Sequence, residues 1–200
     1  MRVVVTGAGG MLGRDVVTVF KERRHDVVAL TRAGLDVTDR ERVRQEIGRL
    51  GPELVVNCAA YTAVDAAEGD WEAALAVNGL GPRHLAAACR QMGAVLLHIS
   101  TDYVFDGGKE GPHGVYDPTG PVNAYGRTKL WGERAIRDVC PAHYIVRTSW
   151  LFGDGPNFVR TMLALGRERE SLRVVDDQHG APTFTVDLAR ALAVALPPAG

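Results

Sequence analysis

The sequence lacks any apolar run of about 18 residues, the length that a membrane-spanning helix needs. It also lacks a secretory signal, because Met1-Arg2 leads directly into Val3–Val5, a run too short for the apolar part of a signal peptide. Basic residues form no block, and the formal net charge of the 200 residues is only −1. These absences predict a protein with no membrane span and no nucleic-acid partner.

Cysteine is scarce and scattered: the three cysteines are Cys58, Cys89 and Cys140, and no C-x-x-C occurs. An odd, widely spaced set is typical of reduced thiols in the core of a cytoplasmic protein. None of the six histidines has a partner at a metal-ligand spacing. The residues by themselves therefore predict a cytoplasmic protein without a metal site.

The sequence has instead a regular alternation of short apolar runs with stretches of helical periodicity. The runs are continuously apolar, which is typical of parallel strands buried on both faces. This alternation predicts an α/β fold with a doubly wound parallel sheet, of the Rossmann type that binds NAD(P). The predicted strands are Arg2–Thr6, Val27–Leu30, Leu54–Cys58, Val95–Ser100 and His143–Arg147. The predicted helices are Met11–Arg23, Asp39–Leu50 (capped near Asp39), Trp71–Met92 (disturbed around Gly79–Pro82) and Ala124–Val139.

The pattern loosens in the last quarter of the chain. Helices are predicted at Asn157–Gly166 and Val186–Leu196, on either side of a strand-like run at Leu172–Val175, and Pro197–Gly200 forms a helix-terminating tail. We expect residues 1–150 to form a dinucleotide-binding domain. Residues 151–200 are expected to form a small substrate lobe with an element that returns to the first domain.

A glycine-rich turn follows the first strand and opens the first helix, as a dinucleotide-binding fingerprint requires. Gly7 permits the tight turn, Gly10 lets a pyrophosphate approach the backbone, and Gly13 allows close packing of helix on strand. The helix N-terminus offers free N–H groups and a partial positive charge to the phosphates. The alternative is a glycine-rich turn without a ligand. The predicted cofactor contacts in this segment are Gly7, Gly9, Gly10, Met11, Leu12 and Gly13.

The end of the second strand bears on the choice of cofactor. It has no carboxylate that would bind a ribose 2′-hydroxyl, but Arg32 follows it and can pair with a 2′-phosphate. Arg32 is equally well an ordinary solvated arginine. NADPH is therefore predicted, and NADH is left open.

Two further segments belong to the predicted cofactor pocket. Asp36 and Val37 lie in the next loop, within reach of the adenine edge in such folds. Ala59, Ala60 and Tyr61 follow the third strand at the carboxyl edge of the sheet, where ligands bind. The small alanines would let the ribose and phosphates lie against the backbone, although they also suit simple tight packing.

Tyr125 and Lys129 are four residues apart, so they share one face of the helix that carries them. A tyrosine pKa is ordinarily about 10, and a cation within about 4–6 Å can lower it by roughly 1–3 units. General acid–base catalysis is most efficient when the pKa lies near the working pH. A lone Tyr-x-x-x-Lys occurs often by chance. The glycine turn and Thr101, which ends a strand, favour a catalytic role here.

This combination resembles the extended short-chain dehydrogenases/reductases, and other segments sharpen the resemblance. From Arg2 to about Leu196 the chain is similar to the dTDP-4-dehydrorhamnose reductase family. The segments that carry this similarity are Val55–Asp65, Ser100–Gly107, Asn123–Gly126, Arg147–Trp150 and Asp177–Thr183.

The resemblance implies reduction of the C4 ketone of dTDP-4-dehydro-β-L-rhamnose to dTDP-L-rhamnose, with hydride from C4 of NADPH. It implies that Tyr125 gives a proton to the incipient alkoxide. Lys129 would hold the nicotinamide ribose and lower the pKa of Tyr125, so both residues also count as cofactor contacts. Thr101 would hydrogen-bond the carbonyl oxygen.

The substrate site implied by the resemblance lies on loops at the carboxyl edge. Tyr103 and Trp150 are candidates for packing against the sugar, or are partly buried aromatic residues of the fold. Tyr103 stands where sugar-nucleotide dehydratases carry glutamate, which favours reduction over elimination of water. The predicted substrate contacts are Val64, Thr101, Asp102, Tyr103, Asn123 and Trp150.

The resemblance extends to cofactors, partners and chain length. Magnesium and a homodimer are features of some members, although no ligand spacing here identifies a magnesium site. Family members usually continue well beyond the end of this chain, so we expect its substrate lobe to be incomplete.

Two alternative functions stay open: a non-catalytic NADP-binding regulatory subunit on the same fold, and a related dTDP-4-keto-6-deoxysugar reductase of antibiotic synthesis.

Overall fold

The computed structural model describes residues 1–195 and has a central five-stranded parallel sheet. The strand order is β2-β1-β3-β4-β5, and every neighbouring pair is parallel. The strands are β1 (Arg2–Thr6), β2 (Asp26–Leu30), β3 (Leu54–Asn57), β4 (Val95–Thr101) and β5 (His143–Thr148). The predicted doubly wound fold is confirmed, and the predicted ends of these five strands lie within one residue of the observed ends.

Seven α-helices accompany the strands in the described part of the chain. They are α1 (Met11–Glu22), α2 (Arg40–Leu50), α3 (Trp71–Leu75), α4 (Gly81–Met92), α5 (Ala124–Val139), α6 (Phe158–Glu168) and α7 (Thr185–Ala195). Asp39 caps α2 as predicted, since its Oδ1 accepts a hydrogen bond from Arg42 N at 3.0 Å.

The predicted long helix from Trp71 to Met92 is interrupted at the expected place. A π-helical segment, Ala76–Leu80, separates α3 from α4. Pro82 has no N–H to donate to the carbonyl four residues earlier, which is a sufficient reason for a local change in the hydrogen-bond pattern. This segment places Asn78 inside the protein, below the carboxyl edge of the sheet.

Helices cover both faces of the sheet, which explains why the strands are continuously apolar. Val3 and Val5 pack with α1 and α7, whereas Val4 and Val55 pack with α2, α4 and α5. Helix α7 thus returns to the first helix, and Leu192 is buried in the same cluster as Phe20 and Val16. No helix within residues 1–195 combines the length and apolarity of a membrane span.

The predicted strand at Leu172–Val175 is wrong. These residues lie in an irregular segment, and the side chains of Val174 and Val175 are 50% and 68% exposed. Two short strands form elsewhere instead, β6 (Leu151–Phe152) and β7 (Thr183–Phe184), and pair in parallel. In the described part of the chain, Leu172–Val175 pairs with no strand, so its backbone lacks the ladder hydrogen bonds that define one. The predicted tail, Pro197–Gly200, lies outside the described residues.

Candidate active site

A cavity of about 360 Å³ opens at the carboxyl ends of β1, β2 and β3. In an open parallel sheet, ligands bind at this edge, where the order of the strands reverses. Its lining residues are Gly7, Gly9, Gly10, Thr31, Arg32, Leu35, Asp36, Val37, Cys58, Ala59, Ala60, Tyr61 and Val77.

Most of the predicted cofactor contacts line this cavity, but five do not. Met11, Leu12 and Gly13 belong to the first turn of α1, where Leu12 is buried in the core. Tyr125 and Lys129 lie on α5, and Tyr125 packs in one cluster with Tyr61, which lines the cavity. Sequence reasoning missed four lining residues: Thr31, Leu35, Cys58 and Val77. Thr31, Leu35 and Cys58 adjoin predicted residues, whereas nothing local distinguishes Val77 from a core residue.

Gly7 brings the glycine turn against the end of β3. Its φ is +68°, and a Cβ at this position would lie 2.5 Å from the Ala59 backbone nitrogen. Only glycine satisfies both the left-handed backbone and the close approach.

We expect Gly7→Ala to destabilise the protein by about 2–5 kcal/mol, from left-handed backbone strain plus steric overlap. Gly51→Ala is the matched control, because Gly51 has φ +55° and open space around its Cβ position. Gly51→Ala should destabilise the protein by about 1–2 kcal/mol, the contribution of left-handed backbone strain alone. Urea unfolding of both variants measures the difference, and equal losses would contradict the close approach of Gly7 to Ala59.

Arg32 lies at the rim of the cavity with a largely exposed side chain. Its Nε donates to Asp36 Oδ2 at 3.2 Å. The Asp36 carboxylate also accepts hydrogen bonds from the Thr38 N–H and hydroxyl, which lower its pKa below the ordinary value. Asp36 therefore holds the arginine beside the cavity while leaving its other nitrogens free to meet an anion.

The three predicted catalytic residues meet at the carboxyl edge of β4. Thr101 ends β4, Tyr125 lies in the first turn of α5, and Lys129 follows one turn later. Asn123 caps this helix, because its Oδ1 accepts a hydrogen bond from Gly126 N at 2.7 Å. The cap fixes the start of α5, and with it the position of Tyr125.

Burial controls the protonation of Tyr125. It raises the pKa of the phenol to about 12; the Thr101 hydroxyl acts in the opposite sense, and the Asp102 charge raises the pKa further. Burial likewise lowers the pKa of Lys129 to about 8. Lys129 Nζ donates to the Ile99 carbonyl oxygen at 2.6 Å.

The pKa of Tyr125 is thus raised, whereas we expected Lys129 to lower it. Lys129 donates its hydrogen bond to the Ile99 carbonyl near the end of β4, and burial of the phenol has the larger effect on its pKa. A phenol with a raised pKa is fully protonated at neutral pH. It is therefore suited to donate a proton to a strongly basic oxygen.

Several predicted substrate contacts surround Tyr125. The Tyr103 ring packs edge-to-face on the Tyr125 ring, with centroids 5.6 Å apart, and Val64 joins the same cluster. Thr101 Oγ1 donates to Asp102 Oδ1 at 3.0 Å and accepts from the Tyr103 N–H at 3.2 Å. Thr101 and Tyr103 are therefore held together beside the phenol.

Trp150 is placed by a different part of the chain. Its ring lies against Gly180, where an added Cβ would be 2.9 Å from the indole, and its side chain is 44% exposed. Its carbonyl oxygen accepts a hydrogen bond from Thr183 N at 3.2 Å. Trp150 is thus fixed at the end of β5 by the 180–183 loop, with no direct contact to Tyr125 among the described interactions.

Buried polar residues beneath the site were not predicted as functional. Asn78 accepts a hydrogen bond from Tyr61 N and donates to Tyr61 O, so it holds one wall of the cavity. Glu133 is fully buried and accepts hydrogen bonds from Ser100 and Arg147. Burial alone would raise the pKa of Glu133, but these bonds outweigh it and keep the pKa below the ordinary value.

Within residues 1–195, no three His, Cys, Asp or Glu side chains converge as a metal site.

Comparison with known proteins finds one family over almost the whole chain. The family described as the RmlD substrate binding domain matches residues 1–199. A dTDP-4-dehydrorhamnose reductase from Streptomyces griseus is 54% identical over 194 residues, covering 96% of this chain and 64% of that protein. A dTDP-4-keto-6-deoxy-D-glucose reductase from Streptomyces niveus is 52% identical over 191 residues, covering 94% of this chain and 66% of that protein.

A solved structure agrees with the fold. The dTDP-4-dehydrorhamnose reductase of Bacillus anthracis in complex with NADP has a TM-score of 0.92 and 39% identity, covering 96% of this chain and 69% of that one. The chain thus spans a little under two thirds of the length of the two Streptomyces relatives.

Proposed function

Because the chain belongs to the dTDP-4-dehydrorhamnose reductase family, we propose that the whole protein reduces the C4 ketone of dTDP-4-dehydro-β-L-rhamnose to dTDP-L-rhamnose with NADPH. The observation that carries the proposal is the meeting of Thr101, Tyr125 and Lys129 beside a cavity with a glycine turn. A proton donor and a nucleotide pocket at one sheet edge are what reduction of a carbonyl requires.

The cavity fits a dinucleotide. Gly9 and Gly10 leave the turn without side chains, and a Cβ on Gly9 would come within 3.4 Å of the Thr31 methyl. The N-terminus of α1 directs its free N–H groups toward this turn, where a pyrophosphate would bind. When bound there, the nicotinamide supplies the hydride.

The chain's own residues supply the proton and hold the carbonyl. Tyr125, protonated at neutral pH, donates to the oxygen that becomes the alcohol. The Thr101 hydroxyl hydrogen-bonds the same oxygen once it turns from Asp102. Lys129 binds the nicotinamide ribose, and its charge offsets that of the tyrosinate left behind.

The remaining substrate contacts follow from position. Tyr103 and Val64 pack on Tyr125, so they would border the sugar ring. We assign Asp102 and Asn123 to the same site, since the first orients Thr101 and the second caps α5. Trp150, partly exposed at the end of β5, would close the far side.

NADPH is proposed over NADH because Arg32 stands at the rim with no carboxylate on the last residue of β2. The NADP complex of the Bacillus anthracis relative supports this choice. Arg32→Ala should weaken NADPH binding about 10- to 100-fold, the value of a charge-assisted hydrogen bond, and leave NADH binding unchanged.

Calorimetric titration with both cofactors measures the effect. Arg44→Ala is the matched control, because Arg44 is also an exposed arginine paired with a carboxylate, but lies on α2 away from the cavity lining. An equal loss for NADPH and NADH, or none for either, would remove Arg32 from the 2′-phosphate site.

The identity of the sugar is the finer question, because the Streptomyces niveus relative is named for a different dTDP-4-keto-6-deoxysugar. NADPH oxidation with each of the two dTDP-sugars at saturation decides it. Faster turnover of dTDP-4-dehydrorhamnose is expected. Preference for the other sugar supports the related reductase, and no turnover of either supports a non-catalytic NADP-binding subunit.

Further properties remain proposals from the resemblance. We propose that residues 151–200 contribute to the substrate lobe, next to the dinucleotide-binding domain of residues 1–150. A cytoplasmic location is supported by the free thiols of Cys58, Cys89 and Cys140. Light scattering tests whether the protein is a homodimer. Activity with and without magnesium tests whether the cation is required.

A further inference from the structure

Beneath the catalytic residues, a chain of polar contacts joins the end of β3 to Lys129. Asn57 Nδ2 lies 2.9 Å from His98 Nδ1, and His98 Nε2 lies 3.4 Å from Lys129 Nζ. All three side chains are almost completely buried. Asn57 and His98 are directly paired in the parallel ladder of β3 and β4. The sheet itself, not a loop, therefore fixes the geometry of these polar contacts.

The backbone N–H of Ala59 fixes the orientation of the Asn57 side-chain amide, and so decides which of its atoms faces His98. The Ala59 N–H donates to Asn57 Oδ1 at 3.1 Å, and the Thr6 hydroxyl donates to the same oxygen at 2.7 Å. With the amide flipped, the NH₂ group of Asn57 would face the Ala59 N–H, and two donors would oppose each other. Asn57 Nδ2 is hence the donor toward His98 Nδ1, which must accept with its lone pair.

The tautomer of His98 follows from this direction. A histidine that accepts at Nδ1 carries its one proton on Nε2. That N–H faces Lys129 Nζ. A neutral amine can accept a hydrogen bond from it, whereas an ammonium has no lone pair to offer. Both forms of Lys129 can donate to the Ile99 carbonyl oxygen, so His98 is the contact that discriminates between them.

The other titratable groups around Lys129 have defined charges. Glu133, one turn further along α5, favours the ammonium, but Arg147 and Arg137 already pair with its carboxylate. Cys58, just after β3, is a neutral thiol at physiological pH because burial raises its pKa to about 12. Burial of Lys129 is the largest influence on its pKa and lowers it. A hydrogen bond from His98 to the neutral amine would act in the same direction.

We propose that Asn57 and His98 are positioning residues that set the protonation state of Lys129 and thereby the alkaline limit of the reaction. The kinetic part of this proposal rests on the proposed reductase function, whereas the protonation part does not. In that reaction Lys129 acts as an ammonium. Activity should therefore be present below the pKa of Lys129 and be lost as the pH rises through it.

Asn57→Asp tests the proposal because it reverses the direction of the hydrogen bond between residue 57 and His98. The introduced carboxylate can only accept, so His98 must carry a proton on Nδ1 and can present a lone pair at Nε2 to Lys129. The ammonium then gains an acceptor, and the pKa of Lys129 should rise by about one unit or more. The alkaline limb of the kcat profile should move upward by the same amount.

The protonation of Lys129 can be followed by NMR of ¹³Cε-labelled lysine without cofactor or turnover. The chain has three lysines, so Lys129→Met suffices to assign the signal. Gln91→Glu is the matched control, since it makes the same amide-to-carboxylate change at an exposed position on α4 and should leave the titration unchanged. A folded Asn57→Asp protein with an unchanged Lys129 titration would overturn the proposal.

A second measurement needs no variant at position 57. In the unaltered protein, ¹⁵N NMR of the histidine rings should show His98 as a neutral Nε2–H tautomer that does not titrate between about pH 5 and 8. His98→Leu assigns the signal. A neutral Nδ1–H tautomer, or a His98 that titrates in that range, would refute the donor direction. Absence of turnover in the unaltered protein would refute the reductase function and leave these NMR results valid.

Discussion

Tyr125→Phe is expected to lower kcat for reduction of the dTDP-sugar by about 10²–10⁴-fold, the usual contribution of a general acid. The phenol is buried, so water has poor access to replace the missing proton donor. The ring stays in place against Tyr103, and binding of NADPH should hardly change. Steady-state NADPH oxidation and a cofactor titration on the same preparation measure the two quantities.

Tyr116→Phe is the matched control for this prediction. Tyr116 is 98% exposed and lies on the loop between β4 and α5, so removing its hydroxyl should leave kcat unchanged. If Tyr125→Phe kept kcat within twofold of the unaltered protein, Tyr125 would not be the proton donor. Loss of NADPH binding together with kcat would indicate a positioning role instead.

Glu133→Gln is expected to destabilise the fold by about 3–5 kcal/mol, because breaking a buried ion pair leaves charge uncompensated. The carboxylate is fully buried and accepts hydrogen bonds from Ser100, Arg137 and Arg147. It ties α5 to the ends of β4 and β5, close to the predicted catalytic residues. Urea unfolding near neutral pH measures the loss.

The pH dependence of this loss is a sharper test. The folded-state pKa of Glu133 is lowered, so its stabilisation is present above the unfolded-state pKa of about 4.3 and is lost as the pH falls through the lower folded value. The difference between the two proteins should therefore shrink in acid. Glu41→Gln, at an exposed ion pair with Arg44, should show a much smaller loss. Equal losses for the two variants would contradict the role given to Glu133.

The sheet and the cavity beside the glycine turn could be predicted because their signals are local. Val3–Val5 and Val55-Val56 are apolar without alternation, which suits strands covered on both faces. The glycine turn lies between a strand and a helix, so its role follows from its neighbours in sequence. The prediction that Thr101, Tyr125 and Lys129 share one site also rests on local signals, since each stands at a strand end or on one helix face.

The buried polar network could not be predicted, because its partners are far apart in sequence. His98 looks like an ordinary strand residue until the ladder puts Asn57 beside it and α5 puts Lys129 above it. Glu133 similarly resembles a solvated helix residue until Arg147 reaches it from β5. The raised pKa of Tyr125 has the same origin, since burial depends on tertiary packing. The strand wrongly predicted at Leu172–Val175 shows the converse, an apolar run without a partner edge.

The most direct test of the proposed reductase is transfer of deuterium from NADPH labelled at C4 of the nicotinamide to dTDP-4-dehydrorhamnose. Mass spectrometry and NMR of the product should show one deuterium at C4 of the sugar, with one NADPH consumed for each sugar reduced. Product that carries no deuterium at C4, or binding of both ligands at saturation without any NADPH consumed, would contradict the proposed reaction.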